Sequence, residues 1–455
     1  MRLSGWQSLA VSSLLFGMLA TAETRPQYGG TLRVTTRIAP ASLDPADNSQ
    51  PDSVARRNLN RLMFDTLVIM DSRGRLQPSL ATSWQAEPGN QRWQFWLRRG
   101  VRFHDGSPLT PEAVAASLRV ANPGWNVSTA VDSVVIEREG AAPDLPAELA
   151  RARNGMAKRS LGAVIGTGPF RITDWQPGQK LSLSAEEGYW GGRSFLDAIE
   201  MEMGKSVRDQ LIAMELGKTD VVELATEQAQ RTTGDGKRVV TSAPVELMAL
   251  VFSRDKQSSE EGKLRDALAL SIDRASIRGV VLQGIGEPSG AILPNWVTGY
   301  AFAFPTGRNL ERARQERGGI QHAPSWTLGY DAGDTLARVI AERIALNARD
   351  AGIPLQTTTS PNPDLRLARL VLASANPRIA LTAVAATLGV AVPKLNSNSV
   401  EDVYQSENTI LQMQRVVPLF QLPAGYALNP TVQDWSQDRD GAWHLEDVWL
   451  GSDQP

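Results

Sequence analysis

The sequence predicts an α/β fold in which mixed sheets are flanked by helices. At 180–185 every second residue is apolar, which is the period of a half-buried strand. Residues 334–350 instead carry apolar side chains at helical spacing. This helix lies between predicted strands at 327–330 and 353–357, and such a βαβ pattern implies a parallel sheet with a right-handed crossover.

The first half of the chain reads as short strands separated by turns, with a few helices. Two helices are predicted early, and Thr110 caps the second, whose first residue is Pro111. Tyr189 and Trp190 are bracketed by glycines, and we interpret this loop as a rigid turn packed by its rings. The predicted strands are a first strand ending near Arg37 and those at 65–70, 91–98, 131–138, 170–175, 180–185 and 196–203; the helices are 52–63, 111–120 and 206–216.

The second half shows longer elements. A largely apolar segment at 245–252 predicts a buried strand or a linker into a second lobe. Apolar residues at near-helical spacing predict a single helix over 260–283, which Gly284 ends. The stretch 227–236 is expected to terminate a strand at 220–224. Further predictions are helices at 364–375, 379–388 and 399–414 and a buried strand at 417–422.

Composition narrows the range of functions. The 455 residues include 42% hydrophobic and 21% charged residues, enough for a sizeable core in about three domain-sized units. The formal net charge is −2 and the pI is about 6.1, so the overall field attracts neither nucleic acid nor an anionic membrane strongly. No block of lysine and arginine with interleaved aromatics occurs, and we therefore expect no nucleic-acid partner.

The first 22 residues resemble a secretory signal peptide. Arg2 supplies a positive charge, residues 9–19 form an apolar core, and Ala20-Thr21-Ala22 fits a cleavage site. The apolar core is short for a membrane span, so we expect the segment to be cleaved and the protein released. A retained membrane anchor is the alternative. Because the chain contains no cysteine, it can carry neither a disulfide nor the lipid-acceptor thiol of a lipoprotein. We expect a periplasmic protein cleaved after about Ala22, if the source is bacterial.

Catalytic motifs are absent from the sequence. It has no G-x-S-x-G, H-E-x-x-H or G-x-x-x-x-G-K-[ST] motif. Its three histidines, His104, His322 and His444, are far apart and have no cysteine neighbours, so we expect no metal and no cofactor. His104 is expected to bond to backbone in a turn. These observations favour a binding protein over an enzyme.

Several motifs resemble the solute-binding proteins of peptide- and nickel-type ABC importers. The most specific is the order L.P.LA.SW…W.F.LR.GV.FHDGSPLT.EAV..SL over 76–118, followed by GTGPF…W.PG…L…YWGG over 166–192. The opening GGTLRV strand and the SLDP sequence at 42–45 match the same family. So do R.A…IDR…G.G.P..G..P over 265–294 and a late PLF at 418–420.

The resemblance implies a periplasmic binding protein-like two-lobe fold with an inserted third subdomain. Lobe I would comprise 23–45, 165–250 and 425–455, the inserted subdomain 46–164, and lobe II 251–424. The implied function is capture of a small peptide or peptide-like solute in the interlobe cleft and its delivery to an ABC permease in the inner membrane. We expect the receptor to be a monomer.

Candidate ligand contacts lie where the two lobes would meet. Arg37 could pair with a peptide carboxylate through a bidentate contact, or it could be an exposed arginine at a strand end. Trp296 and Tyr300 could stack on ligand side chains or pack in the core. The full set of candidates is Arg37 and Ala39 within 37–41, together with Trp125, Trp296, Tyr300, Asn376 and Arg378.

One departure from the family leaves the ligand open. Peptide receptors of this kind usually place an aspartate in a late loop of the second lobe, where it pairs with the free amine of the ligand. The matching residues here, 373–379, contain no carboxylate, and the second lobe is shortened. The ligand could therefore lack a free amine, or the pocket could be degenerate. The alternatives are a secreted hydrolase acting on peptides or glycans and a sensory binding protein without a permease.

Overall fold

The computed structural model describes residues 25–451 except 51, 72, 161, 235, 322 and 392–398. The predicted signal segment 1–22 and His322 lie outside the described residues. No helix in the described part is long and apolar enough to cross a membrane.

The strands are β1 (Thr31–Thr35), β2 (Val68–Met70), β3 (Leu76–Pro78), β4 (Ala81–Ala86), β5 (Arg92–Leu97), β6 (Asn126–Thr129), β7 (Ser133–Glu137), β8 (Lys158–Ser160), β9 (Ala163–Ile165), β10 (Phe170–Gln176), β11 (Lys180–Ala185), β12 (Ala198–Glu202), β13 (Val221–Leu224), β14 (Arg238–Phe252), β15 (Glu287–Pro288), β16 (Trp326–Gly329), β17 (Leu355–Thr358), β18 (Leu365–Val371), β19 (Val416–Leu428), β20 (Val432–Gln433) and β21 (Trp449–Leu450). The helices are α1 (Val54–Met63), α2 (Pro111–Ala121), α3 (Leu145–Leu149), α4 (Val207–Glu215), α5 (Thr226–Gly234), α6 (Ser259–Ser271), α7 (Arg274–Ser276), α8 (Asn295–Thr298), α9 (Leu310–Gly318), α10 (Thr335–Asp350), α11 (Pro377–Leu388) and α12 (Val400–Gln412).

One long sheet runs through both lobes in the order β10-β11-β12-β1-β13-β19-β14-β18-β16-β17, and β15 pairs with β19. Strands β10 to β13 and β1 fall within the bounds predicted for lobe I, and β16 to β18 fall within those predicted for lobe II. Strands β16 and β17 are parallel and joined by α10, which confirms the predicted βαβ unit. The chain therefore forms the two-lobe α/β fold that the sequence predicted.

The lobes are connected by the two longest strands, β14 and β19. They pair with each other along nearly their whole length; β13 pairs with β19 at one end, and β18 pairs with β14 at the other. Between the two ends the register shifts, and Pro244 lies opposite Pro423. Because proline has no N–H, the backbone hydrogen bonding between β14 and β19 is interrupted where the strands pass from one lobe to the other.

The inserted subdomain has its own sheet, β4-β5-β7-β6, with α2 packed against it. Its core is separate from the cores of the two lobes. The α2 side chains Val114, Ala115 and Leu118 meet strand side chains of β5 and β7, and all of them are fully buried. The N-cap bond from the Ala113 backbone N–H to Thr110 Oγ1, at 3.3 Å, starts the helix where the sequence predicted it.

Asp65 attaches the inserted subdomain to lobe I. Its carboxylate accepts hydrogen bonds from the Tyr189 hydroxyl at 2.9 Å, the Trp190 indole N–H at 2.9 Å and the Thr167 hydroxyl at 3.0 Å. Nearby, a Cβ on Gly166 would lie 1.8 Å from the backbone oxygen of Met63, so this close approach requires glycine. The glycine-rich turn and the aromatic loop therefore both contribute to the contact between the inserted subdomain and lobe I.

The prediction for His104 is also confirmed by the structure. Its Nε2 lies 2.9 Å from the backbone oxygen of Gly168, and burial lowers the pKa of the imidazole. The neutral ring donates this hydrogen bond and so holds the turn together.

Two predictions of secondary structure are wrong, and one helix was not predicted. The predicted helix at 364–375 is strand β18, whose apolar alternation was masked by helix-favouring leucine, arginine and alanine. The predicted long helix at 260–283 breaks after α6, because Ile272 is extended and Asp273 caps the next turn. The strand predicted at 220–224 does end at Leu224, and the stretch 227–236 that follows it lies mostly within helix α5, which the sequence did not predict.

Candidate functional site

A cavity of about 820 Å³ lies between the inserted subdomain and lobe II. One side is formed by residues of 122–153 and the other by residues of 369–387, and Asp52 lies at its edge. This volume is typical of a pocket for a small-molecule ligand.

Helix α11 forms the wall on the side of lobe II. Arg378, Ile379, Thr382, Ala383, Ala386 and Thr387 line the cavity, and their spacing places them on one face of the helix. Asn376 caps this helix by accepting a hydrogen bond from the backbone N–H of Ile379 at 3.2 Å. The small side chains keep the wall smooth and leave room for a solute.

Trp125 and Arg138 form part of the facing wall. Strands β6 and β7 are antiparallel with Asn126 opposite Glu137, so the next residues outward, Trp125 and Arg138, also become neighbours. The guanidinium carbon of Arg138 lies 5.0 Å from the centre of the Trp125 ring. This cation–π contact places a charge and a flat apolar surface side by side in the cavity.

Asp144 links the two walls. Its Oδ2 lies 2.8 Å from Nε of Arg378, and its Oδ1 accepts a hydrogen bond from the Asn376 side chain at 2.9 Å. Asp144 belongs to the inserted subdomain, just before α3, whereas both partners belong to lobe II. The described conformation therefore brings the subdomain against lobe II by charge pairing.

Two smaller cavities adjoin the first. One, of about 290 Å³, is lined by Asp52 and by Arg56, Arg57 and Arg61 of helix α1. Arg57 pairs with Asp52 and donates from Nη1 to the backbone oxygen of Leu372 at 2.5 Å. Because Asp52 lines both this cavity and the large one, the two are adjacent.

The other small cavity, of about 270 Å³, lies beside the strands that join the lobes. Arg37, Glu223, Glu246 and Arg369 are among its lining residues. Burial raises the pKa of Glu223, even though it accepts a hydrogen bond from the backbone N–H of Arg37 at 2.9 Å. Arg369 also lines the large cavity, so the three cavities are adjacent, and together they are called the cleft.

Some predicted contacts come together in this cleft. Trp125 and Arg378 line the large cavity, and Asn376 bonds to Asp144 at its wall. Arg37 lines the small cavity by the connecting strands. Ala39 lies elsewhere, on the surface beside the turn at Gly178, whose N–H donates to the backbone oxygen of Pro40.

Trp296 and Tyr300 are placed in the packing of lobe II rather than on a cavity wall. Tyr300 is 8% exposed, and its hydroxyl donates to Oε2 of Glu407 at 2.7 Å. The indole N–H of Trp296 donates to the backbone oxygen of Pro244 at 2.8 Å. The structure thus favours core packing, the alternative that the sequence left open for both residues.

Several cleft residues were missed from the sequence, chiefly Arg138, Arg153, Arg369 and Asp144. Each lies in a charged stretch that resembles an ordinary exposed surface. Only their positions just after β7, before α3 and within β18 bring them to one cavity. The alternation of apolar residues at 365–371 could have predicted strand β18. Arg369 would then have been placed in a strand near the cleft.

The described residues contain one group of possible metal ligands, His444, Glu446 and Asp447, remote in sequence from the cleft. Both ring nitrogens of His444 are already engaged, Nε2 with Asp438 and Nδ1 with Glu446, each at 3.1 Å. These two carboxylates raise the pKa of His444 to about 10. A protonated imidazole has no lone pair for a metal, so this group is an ion-pair cluster.

A two-lobe fold with a cleft between its parts is the architecture of a receptor for small solutes. The family model of bacterial extracellular solute-binding proteins, family 5 Middle, matches residues 75–387, and the chain belongs to this family. The family consists of solute-binding proteins, which confirms that the chain is not an enzyme and that it works outside the cytoplasm.

Individual relatives are distant in sequence but similar in fold. Protein XP55 of Streptomyces lividans is 25% identical over 389 residues, covering 76% of this chain and 71% of its own. The oligopeptide-binding protein AppA of Bacillus subtilis is 23% identical over 300 residues, covering 58% of this chain and 53% of its own. The crystal structure of DppA from Helicobacter pylori in complex with peptide STSA has a TM-score of 0.79 at 17% identity, covering 94% of this chain and 99% of that one.

Proposed function

We propose that this protein is an extracytoplasmic receptor that captures a peptide or peptide-like small solute and delivers it to an ABC importer permease. The cavity of about 820 Å³ between the inserted subdomain and lobe II carries this proposal. Family members bind peptides or similar ligands and work with ABC permeases. The proposed ligand contacts are Trp125, Asn376 and Arg378 in the large cavity, with Arg37 in the adjoining one.

The proposed mechanism is closure of the lobes over the solute. Lobe I would comprise 23–45, 165–250 and 425–455, with 46–164 inserted and 251–424 as lobe II. Separate hydrophobic cores and the register break between β14 and β19 support this division. Only a solute that binds the closed form better than the open form can drive closure.

The proposed location is the periplasm, after cleavage near Ala22 and without a lipid anchor. The A-x-A sequence and the absence of cysteine support this part of the proposal. We also propose that the receptor acts as a monomer, since the cleft is formed within one chain.

Ligand-induced stabilisation tests the receptor proposal. A solute at one hundred times its Kd should stabilise the folded protein by about 2.7 kcal/mol, which is seen as a rise in Tm. The purified protein would be screened against short peptides, opines, sugars and metal chelates. Mass spectrometry of the native protein would identify any co-purifying solute. If no compound raised Tm and nothing co-purified, the receptor proposal would be rejected.

A further inference from the structure

The cleft contains more arginine than its carboxylates can neutralise. Five arginines and three carboxylates line the large cavity: Arg138, Arg151, Arg153, Arg369 and Arg378 against Asp52, Asp144 and Glu148. One adjoining cavity adds Arg56, Arg57 and Arg61 against Asp440, and the other adds Arg37 against Glu223 and Glu246. This excess contrasts with the formal net charge of −2 for the whole chain, so positive charge is concentrated in the cleft.

Every carboxylate that lines the large cavity is paired with an arginine. Asp144 pairs with Arg378 at 2.8 Å, and Glu148 pairs with Arg151 at 2.8 Å. The third carboxylate, Asp52, pairs with Arg57, whose Nε lies 2.8 Å from its Oδ1. These three acids are already compensated, so the cavity wall has no spare carboxylate for the ammonium group of a ligand.

Two of the arginines that line the large cavity, Arg138 and Arg153, have no carboxylate partner among the described residues. Arg138 lies only over the ring of Trp125, and Arg153 donates from Nη2 to the backbone oxygen of Ala121 at 2.7 Å. The Nε of Arg153 is buried and has no hydrogen-bond partner. Burial and the charge of Arg151 lower the pKa of Arg153 by more than the nearby charges of Glu148 and Asp52 raise it, so a further anion would stabilise the charged guanidinium.

We propose that the cleft selects an anionic solute with carboxylate groups and without a free amine, such as an acidic N-acylated peptide. A carboxylate would lie against Arg138 and Arg153, and Trp125 would cover an adjacent apolar part of the solute. Guanidinium groups bind carboxylates through paired N–H donors, which gives both affinity and orientation. This inference rests on the proposed receptor function and names the class of ligand for the same cleft.

Matched peptides test the inference without altering the protein. Titration calorimetry would compare acetyl-Glu-Ala-Glu, its amidated counterpart acetyl-Gln-Ala-Gln-amide, and Glu-Ala-Glu with a free amine. The acetylated acidic peptide should bind at least about tenfold more tightly than the neutral peptide, since hydrogen bonds to charged groups contribute about 1.5–3 kcal/mol. Acetylation should not weaken binding.

Arginine variants then locate the contact. Arg138→Gln and Arg153→Gln should each weaken binding of acetyl-Glu-Ala-Glu at least about tenfold more than they weaken binding of the neutral peptide. Arg99→Gln is the matched control, because that side chain is 91% exposed and does not line the cleft. Because Arg153 also supports local backbone, Arg138→Gln is the decisive variant if Arg153→Gln fails to fold.

The outcomes separate this inference from the receptor proposal. Equal or tighter binding of the neutral peptide would overturn the anionic class and leave a peptide receptor standing. Tighter binding of the free-amine peptide than of its acetylated form would overturn the inference that the solute lacks a free amine. If none of the three peptides bound, whereas another class in the stabilisation screen did, the peptide form of the inference would be rejected and the receptor proposal retained.

Discussion

At the scale of single residues, Asp65 shows how a buried charge can hold two parts of a protein together. Three donors from lobe I point at its carboxylate. Burial nevertheless outweighs these hydrogen bonds and raises the pKa of Asp65 from 3.8 to about 6. The joint is therefore more stable when this carboxyl group is protonated.

The pH dependence of stability should reveal Asp65. Since its folded pKa lies above its unfolded value, its contribution is fully present below pH 3.8 and is lost as the pH rises through 6. Between these limits the free energy of unfolding of the natural protein should fall by about 2–3 kcal/mol relative to Asp65→Asn. Urea unfolding at closely spaced pH values measures the difference.

Asp132→Asn provides the control for this series, because that side chain is half exposed at the surface. It should keep the pH profile of the natural protein. Parallel profiles for the natural protein and Asp65→Asn would contradict the assignment of a raised pKa to this group.

At the scale of elements, strands β14 and β19 determine how the lobes are joined. Each is continuous across both lobes, yet their pairing is interrupted around Pro244 and Pro423. The backbone oxygen of Pro244 accepts a hydrogen bond from Trp296 of helix α8, so lobe II stabilises one side of this break. Trp296 is thereby assigned a structural role at the connection between lobes.

Replacing Trp296 by phenylalanine should lower the free energy of unfolding by about 1–2 kcal/mol, because the hydrogen bond to the Pro244 oxygen is lost. Ligand affinity should stay within about twofold, since the side chain lines none of the cleft cavities. Denaturant unfolding and calorimetry measure the two effects. Trp84→Phe is the control, because its indole N–H bonds to no described residue. A large loss of affinity in Trp296→Phe would instead indicate a ligand contact.

At the scale of the whole molecule, closure depends on contacts across the cleft. Asp144 with Arg378 and Asn376, and Arg57 with the Leu372 oxygen, all join residues more than two hundred positions apart. These contacts hold the walls of the cleft together in the described structure. In the proposed mechanism, stronger contacts of this kind reduce the free energy that solute binding must supply to close the lobes.

Removing one of these contacts should open the ligand-free protein. In Asp144→Ala the ion pair with Arg378 is lost, so the radius of gyration from small-angle X-ray scattering should increase relative to the natural protein. Arg92→Gln removes exposed ion pairs that lie within the inserted subdomain and should leave the radius unchanged. The same radius for all three proteins would show that Asp144 does not control closure.

The family and the two-lobe fold followed from the sequence because turn glycines, strand alternation and helix caps act over a few residues. The βαβ unit around α10 and the cap at Thr110 are examples, and both were located correctly. Trp125 and Arg378 were also identified as cleft candidates. Strand β18 was missed, since its pairing with β14 overrides a local preference for helix.

The composition of the cleft depended on tertiary structure. Arg138 and Arg153 have no local pattern that distinguishes them from exposed arginines, and Asp144 meets its partner only across 234 positions of sequence. Tyr300 is equally suited to a pocket or a core, and only its bond to Glu407 assigned it to the core. Charge compensation is a property of side chains brought together by packing, so the balance of arginine and carboxylate in a cleft is decided when the lobes meet.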